Sequence, residues 1–394
     1  MIDLAAVRAE IPALANSVYL NTGGYAPSPR RVFEAAFEEH RRQQEAGPDA
    51  PGYRAAQTER VEATRSSLAA MLGVTADEIA LTRAVSEGID IVAWGLDWQP
   101  GDEVILTDQE HPTGRLPWLN LRDRRGVVVR FLELDRNGDR VVERLRELIT
   151  PRTRLLSLSH VTAESGLRLP AAEVCQLAHE RGVRVLFDAA QAVGQFPIDL
   201  RAIGADFCAT TGHKWLLGGA GIGAFYVKRE LLDELKVSWT GSGAVEGASG
   251  RSDAPRWLPN ARRFEFGGRN MPLYVGYGVA VDWIRSIGLD QIESRVAGLA
   301  SDLKRELAAI PGVDVLSPER PERSTGIVTF ALDGLPGDQV VPRLWERARI
   351  VCRAARAFGK VGTRISVAFF TSEDELELVL REVRELARAP AARP

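Results

Sequence analysis

The feature that most constrains this chain is an alternation that starts near residue 78. Short apolar runs at 78–82, 103–107 (EVILT), 127–132 (VVVRFL), 154–159 (RLLSLS), 183–187 (VRVLF) and 206–210 follow one another, and most are separated by stretches with helical periodicity at 86–97, 114–125, 140–149 and 170–181. A near-continuous apolar run is a strand buried on both faces, whereas a strand with one wet face alternates polar and apolar residues. Strand and helix in alternation predict a mostly parallel sheet covered by helices on both sides. The run at 221–228 (GIGAFYVK) adds a seventh strand, read as antiparallel.

The flanks differ in character. Residues 1–29 read as an arm with a short helix, then YLNTGGYAPSP, a loop rich in Gly, Pro and Asn, followed by helices near 30–45 and 54–72. Residues 240–260 are rich in Gly, Ser, Pro and Arg and read as a long functional loop. A helical stretch over 272–309 is broken near Gly288, strands follow near 313–316, 325–331 and 363–368, and the last helix carries Leu376, Val379, Leu380, Val383 and Leu386 as one apolar stripe. The expected organisation is a large α/β domain over 16–259 and a smaller α+β domain over 260–394, joined by the arm 1–15. A chain of 394 residues is long enough for two such cores.

Composition excludes several function classes. A net charge of −3 argues against nucleic acid as a partner, because phosphate binding shows as a basic excess. Cys175, Cys208 and Cys352 are few, odd in number and far apart, so no disulfide framework or metal site is expected. The start MIDLAAVRAEIPAL lacks the basic and apolar regions of a secretory leader, and no apolar run reaches the roughly 18 residues of a membrane span. The expected compartment is the cytoplasm.

In a doubly wound sheet, ligands bind at the carboxyl ends of the strands. Thr82 to Ser86, Asp108 to His111, Ser159 to Thr162, Asp188 with Gln191, and Thr210 to Lys214 would therefore meet in one crevice. They offer a helix start for a phosphate, a flat ring, a carboxylate and a lysine, which are the needs of pyridoxal phosphate. A lysine on a turn is ordinarily solvated. Lys214, between His213 and Trp215 and followed by GGAGIG, has company that argues for a pocket. That glycine run precedes a strand, whereas a dinucleotide fingerprint runs strand, glycines, helix. No GxxxxGK[ST] occurs, which excludes a P-loop.

TGHKWLLGGAGIG resembles the lysine motif of class V aminotransferases, the group that includes cysteine desulfurases. FDAAQAVGQFPIDL resembles their aspartate segment, LTRAVSEGID their phosphate-binding turn, and EHPTGRLPW their stacking-histidine segment, all in the family's order. The resemblance implies a fold-type-I pyridoxal-phosphate enzyme and a homodimer with a shared site. Lys214 would form the Schiff base and shuttle the substrate's α-proton, Asp188 would hold the ring nitrogen protonated, His111 would stack on the ring, and Gln191 would bond its phenolic oxygen. Val85, Ser86, Thr211 and His213 would meet the phosphate. Arg364 would clamp the substrate carboxylate, with Arg353 as the fallback.

Three departures from the family pattern bear on the reaction. The stretch CRAARAFGKVGTRIS (352–366) stands where desulfurases carry a mobile loop with a sulfur-accepting cysteine; it is short, and its Cys352 falls in the strand predicted before it. HVTAES puts Ala163 where the family has a polar Asn, so Thr162 or Glu164 would take over that contact. FEFGGRN puts Gly268 where the family has a hydroxyl for the partner's phosphate, so Arg269 or Asn270 would substitute. RFEFGGRN and SHVTAESGLRLP look nearer the isopenicillin N epimerase-like branch, which includes amino-acid C–S lyases. The expected reaction on an α-amino acid is β-elimination of a C–S bond, ahead of transamination, with epimerisation third. A nicotinamide or nucleotide enzyme, or a non-catalytic binding protein, is the reading from another class.

Overall fold

The computed structural model describes residues 2–247 and 254–388. The predicted loop at 240–260 therefore lies partly outside the described residues. A short strand β1 (Val18–Tyr19) precedes the main sheet. That sheet is built from β2 (Ile79–Thr82), β3 (Glu103–Thr107), β4 (Val128–Leu132), β5 (Thr153–Ser159), β6 (Arg184–Asp188), β7 (Phe207–Thr211) and β8 (Gly223–Val227). The strand order is β2-β8-β7-β6-β5-β3-β4. β8 runs antiparallel to both neighbours, and every other pairing is parallel. The mostly parallel seven-stranded sheet expected from the sequence is present.

The apolar runs become strands because each has helices on both faces. Ile105, Leu156, Val185, Phe187 and Cys208 point into one core. Their neighbours Val104, Leu106, Leu155, Leu186 and Phe207 point into the other. This is the two-residue period of a pleated strand with neither face wet. Burying a large apolar side chain of this kind contributes roughly 1.5–3 kcal/mol. Only the edge strand β4 leaves large side chains, Val128 and Phe131, exposed.

A second sheet follows, formed by β9 (Val313–Val315), β10 (Ile327–Leu332), β12 (Arg353–Ala357) and β13 (Lys360–Ser366), all antiparallel in the order β12-β13-β10-β9. The two-residue β11 (Ile350–Val351) pairs with β1, so the arm is stitched to the C-terminal region, and Leu20 is buried in that core. The final helix Glu373–Arg388 buries the expected stripe of Leu376, Val379, Leu380, Val383 and Leu386. The long helical stretch breaks at Gly288, whose φ of 92° ends helix Met271–Ile287 before Leu289–Ala308 begins.

Two expectations need correction. The part of 352–366 read as a loop, between the strand predicted at Cys352 and the one predicted from 363, is a β-hairpin, β12 and β13, turned at Phe358 and Gly359 with φ of 50° and 76°. Residues 261–287 pack with the larger body: Ala261 and Phe264 share a core with Phe225, and Tyr277, Val281 and Ile284 share one with Ile222. Leu299, Leu303, Leu307, Val328, Phe330 and Val379 share a separate core with Leu20, while Ile327, Phe369 and Phe370 pack with the larger body. We propose that the larger body ends near Gly288 rather than at 259. Among the described residues no helix is long and apolar enough to cross a membrane, and no cluster of three or more His, Cys, Asp or Glu could hold a metal.

Candidate active site

Thr82, Thr107, Ser159, Asp188 and Thr211 are the last residues of β2, β3, β5, β6 and β7. The segments that follow them enclose a cavity of about 180 Å³ lined by Val85, Ser86, His111, Ser159, Asp188, Gln191, Thr211, His213, Lys214 and Arg353. Eight of the residues singled out in the sequence for cofactor contact therefore meet, together with one of the two candidate carboxylate clamps.

Lys214 and Asp188 are the electrostatic centre of this cavity. Burial lowers the Lys214 amine to about 8; Asp188 opposes the shift, and Arg364 and Arg353 add to it. Burial likewise raises the Asp188 carboxyl, against the pull of Lys214, the Ala190 N–H and His111. Asp188 Oδ1 accepts from Ala190 N at 2.9 Å, and this single backbone bond leaves the carboxylate short of partners for its burial.

The histidines are neutral rings. His111 caps helix Pro112–Arg125: its Nδ1 accepts from Thr113 N at 3.2 Å and lies 3.0 Å from Thr113 Oγ1. Burial, and then Lys214, lowers its pKa. His213 sits with Nδ1 2.8 Å from Thr211 Oγ1 and its ring 5.0 Å from that of Tyr25, and burial takes it down to about 4. Gln191 is held at both ends of its amide: Nε2 donates to Gly23 O and Oε1 accepts from Trp215 Nε1, each at 2.8 Å.

Helix Val85–Gly95 opens onto the cavity without a side-chain cap, because Ala84 stands at its N-cap. Alanine is among the poorest N-caps, since the first-turn N–H groups are then left for water or a ligand. An anion at this end is favoured by both those donors and the helix dipole.

Five of the expected contacts lie elsewhere. Arg364 is fully buried behind the lining: it donates to Ala163 O at 2.7 Å and to Asn21 Oδ1 at 3.1 Å, and its Nε has no partner among the described residues. A Cβ on Gly23 would come within 3.4 Å of Arg364 Nη2 and 3.0 Å of Gln191 Oε1, so only glycine lets the arm pass between cavity and arginine. Thr162 faces away and bonds Ser165 Oγ at 2.7 Å and Leu167 N at 3.0 Å. Glu164, the other candidate for that contact, pairs with Arg353 and accepts from Arg356 N at 2.8 Å. Ala163 itself lines the cavity. Asn270 lines a separate groove with Phe33 and Phe37, and Arg269 is tied to Glu265 at 2.7 Å. The sequence reading also missed Gly23 and Gly24 of the arm loop, which line the cavity. Their GG pair was the available signal.

This donor set fits pyridoxal phosphate. A lysine amine, a buried carboxylate with one backbone bond, a neutral ring in the same cavity and an uncapped helix start are the four things that group needs.

Known proteins agree. The aminotransferase class-V family model matches residues 18–379. A probable cysteine desulfurase of Methanothermobacter thermautotrophicus is 31% identical over 396 residues, covering 97% of each chain. A cysteine desulfurase of Escherichia coli is 34% identical over 337 residues, 83% of this chain and 82% of that protein. Among solved structures, a lysine-to-alanine mutant of C-DES with glycine covalently linked to its PLP cofactor superposes with a TM-score of 0.90 at 30% identity, over 97% of this chain and 99% of that one. The cystine C–S lyase C-DES with its product cysteine persulfide gives 0.89 at 30% identity, over 95% and 99%. The chain belongs to the class V aminotransferase family, in its cysteine desulfurase-like part, and is a pyridoxal-phosphate-dependent enzyme.

Proposed function

We propose that the chain is a C–S lyase that cleaves a sulfur-containing α-amino acid by β-elimination and uses no sulfur-accepting cysteine of its own. The observation that carries this reading is Cys352. It is 8% exposed, packed in the smaller core, and burial pushes its thiol up to about 12. A nucleophilic cysteine needs the opposite, an accessible and depressed thiol. Cys175 and Cys208 are buried as well. Elimination needs none of them, because sulfur departs with the leaving group.

Lys214 would hold the cofactor covalently, Asp188 would pair with its ring nitrogen, His111 would stack on the ring, Gln191 would meet its phenolic oxygen, and the start of helix Val85–Gly95 with Thr211 and His213 would take the phosphate. When bound, that group withdraws electrons from the substrate α-carbon. The Lys214 amine, titrating at about 8, can exchange the α-proton near neutral pH. Arg353 on the cavity wall, steered by Glu164 and backed by buried Arg364, would receive the substrate carboxylate.

An adjoining cavity of about 640 Å³ shares His111 and Arg353 and is lined further by Gln109, Arg115, Glu164 and Arg356. Its size and mixed charge favour a long, zwitterionic β-substituent, so a disulfide such as cystine is the expected substrate ahead of cysteine. Product analysis tests this. Pyruvate and ammonia in equal amounts mark the lyase. Alanine would mark a desulfurase, and a keto acid formed only with an amino acceptor would mark an aminotransferase. Cys352→Ala is expected to leave pyruvate formation within about twofold, since the thiol takes no part; a loss beyond tenfold in a folded variant overturns the proposal.

The phosphate assignment has its own test. Ala84→Asp would give helix Val85–Gly95 a cap worth about 0.5–2 kcal/mol, while setting a carboxylate where the phosphate is to bind. The expected result is a higher melting temperature for the cofactor-free protein and cofactor affinity lowered at least tenfold.

The groove formed by Val32, Phe33, Phe37, Pro272 and Leu273, with Phe37 69% exposed, supports a homodimer joined at this face. Three free, buried cysteines suit a reducing, cytoplasmic compartment. The leaning toward the isopenicillin N epimerase-like branch rests on its two motifs alone.

A further inference from the structure

We propose that Glu110 is a positioning residue of this site: of two neighbouring buried carboxyls it is the one that takes up a proton first, so that the negative charge stays on Asp188, and it anchors the segment carrying His111. The inference rests on the reading of Asp188 as the partner of the ring nitrogen.

Glu110 lies between β3 and helix Pro112–Arg125, one residue before His111, and is 7% exposed. Its Oε1 accepts from Thr107 Oγ1 at 2.8 Å and from Ser159 N at 2.9 Å, and its Oε2 lies 2.6 Å from Ser159 Oγ. Glu110 thus ties the end of β3 to the end of β5, the two strands at which the sheet's order turns. Ser159 is in turn the register partner of Asp188 on β6. No lysine, arginine or histidine bonds the Glu110 carboxyl among the described residues.

Asp188 is close by. A Cβ built on Gly114 would lie 3.1 Å from Glu110 Oε2 and 3.8 Å from Asp188 Oδ2, so the two carboxyls flank one glycine of the first helical turn. Two buried carboxyls this close do not both ionise cheaply, and the pair shares charge and proton. The cations settle the division. Lys214 acts on Asp188, whereas the charge acting on Glu110 is that of Asp188 itself. Of the other charged groups facing this space, His111 is neutral, Arg353 is paired with Glu164, and Asp108, Arg115, Asp338 and Arg356 line the outer cavity with Glu110 without bonding its carboxyl. Burial, with Asp188 adding to it, raises Glu110 to about 7 against the bonds from Ser159 and Thr107. Oε1 is already filled by donors, so the proton belongs on Oε2, and the Ser159 hydroxyl, which donates to Oε2 of the ionised acid, opposes its uptake.

The sign for stability follows from linkage. A carboxyl raised from 4.5 to about 7 on folding binds more protons folded than unfolded between those values. Its contribution is full below about pH 4.5 and is lost as pH rises through about 7. Glu110→Gln keeps the shape and removes the titration. In the cofactor-free protein, the melting temperature of Glu110→Gln minus that of wild type should therefore climb from pH 5 to pH 7 and then level. A flat difference over that range overturns the proton-holding role.

In the holoenzyme, the cofactor's visible band should show a pH transition near 7 that Glu110→Gln lacks. Ser159→Ala, which removes the hydroxyl that donates to Oε2 while keeping the backbone N–H on Oε1, should move that transition to higher pH. A transition that persists unchanged in Glu110→Gln overturns the coupling to Asp188. If Asp188→Asn leaves the wild-type band and affinity intact, it is the Asp188 reading that fails, whereas the cofactor-free melting series still judges Glu110.

Discussion

Replacing Lys214 by alanine is expected to lower turnover by about 10³-fold or more, the scale of losing a positioned proton carrier together with a covalent anchor. The folded protein should still take up cofactor through the helix start, Asp188 and Gln191, so affinity falls less than rate. Borohydride reduction of wild type should fix a pyridoxyl group on Lys214, and the variant should release all of it on denaturation. A label mapped to another lysine would sink the assignment. Stability should move the other way. Burial depresses the amine from 10.5 to about 8, so below pH 8 the cofactor-free protein holds a cation its interior disfavours. The unfolded chain binds the extra proton between pH 8 and 10.5, and wild-type stability therefore rises with pH across that window. Lys214→Ala removes the penalty, on the order of 3 kcal/mol at neutral pH, less the packing lost with the side chain. The cofactor-free variant should melt no lower than wild type at pH 7 and lose this advantage by pH 10.

The main sheet was legible because its strands are read from one-dimensional facts. Two-sided burial demands continuous apolar runs, and EVILT, RLLSLS and VRVLF supply them. The strand β12, RAARA, carries no such signal; it is held in the sheet by its pairing with β13 and by burying only Ala355 and Ala357. That is why the residues between Cys352 and 363 read as a loop in sequence and fold as a hairpin. The site shows the same division. Lys214, Asp188 and His111 follow strand ends, and topology alone brings strand ends together. Thr162 also follows such an end, and Arg364 lies inside β13, yet both turn away from the lining, and which way a side chain turns depends on packing that no local pattern encodes. Glu110 was hidden for a related reason. An acid beside a histidine reads as a solvated loop residue until β3 and β5 are known to be neighbours and Ser159 is seen to close over it.

Asp188→Asn should cost about 10²–10³-fold in kcat, the range seen when a fixed charge aimed at a reacting group is removed from a buried site. The amide nearly matches the carboxylate in shape and its Oδ1 can still accept from Ala190 N, so the fold is expected to survive. It cannot balance a protonated ring nitrogen, and that loss strikes the step in which negative charge develops at the substrate α-carbon, not the binding of substrate. The kcat should therefore fall far more than KM rises. A second effect separates this account from general damage. Asp188 is the charge that holds the Lys214 amine up against burial, with Arg364 and Arg353 pushing it down. Without Asp188 the amine of the cofactor-free protein should titrate below about 8, read as the pH dependence of its reaction with an amine-selective reagent. A variant that loses activity while this midpoint stays in place would mean that Asp188 and Lys214 do not share one field, and the cavity's electrostatic centre would have to be sought elsewhere. A midpoint that falls, with kcat reduced and KM nearly kept, ties the carboxylate, the lysine and the ring nitrogen into one electrostatic unit.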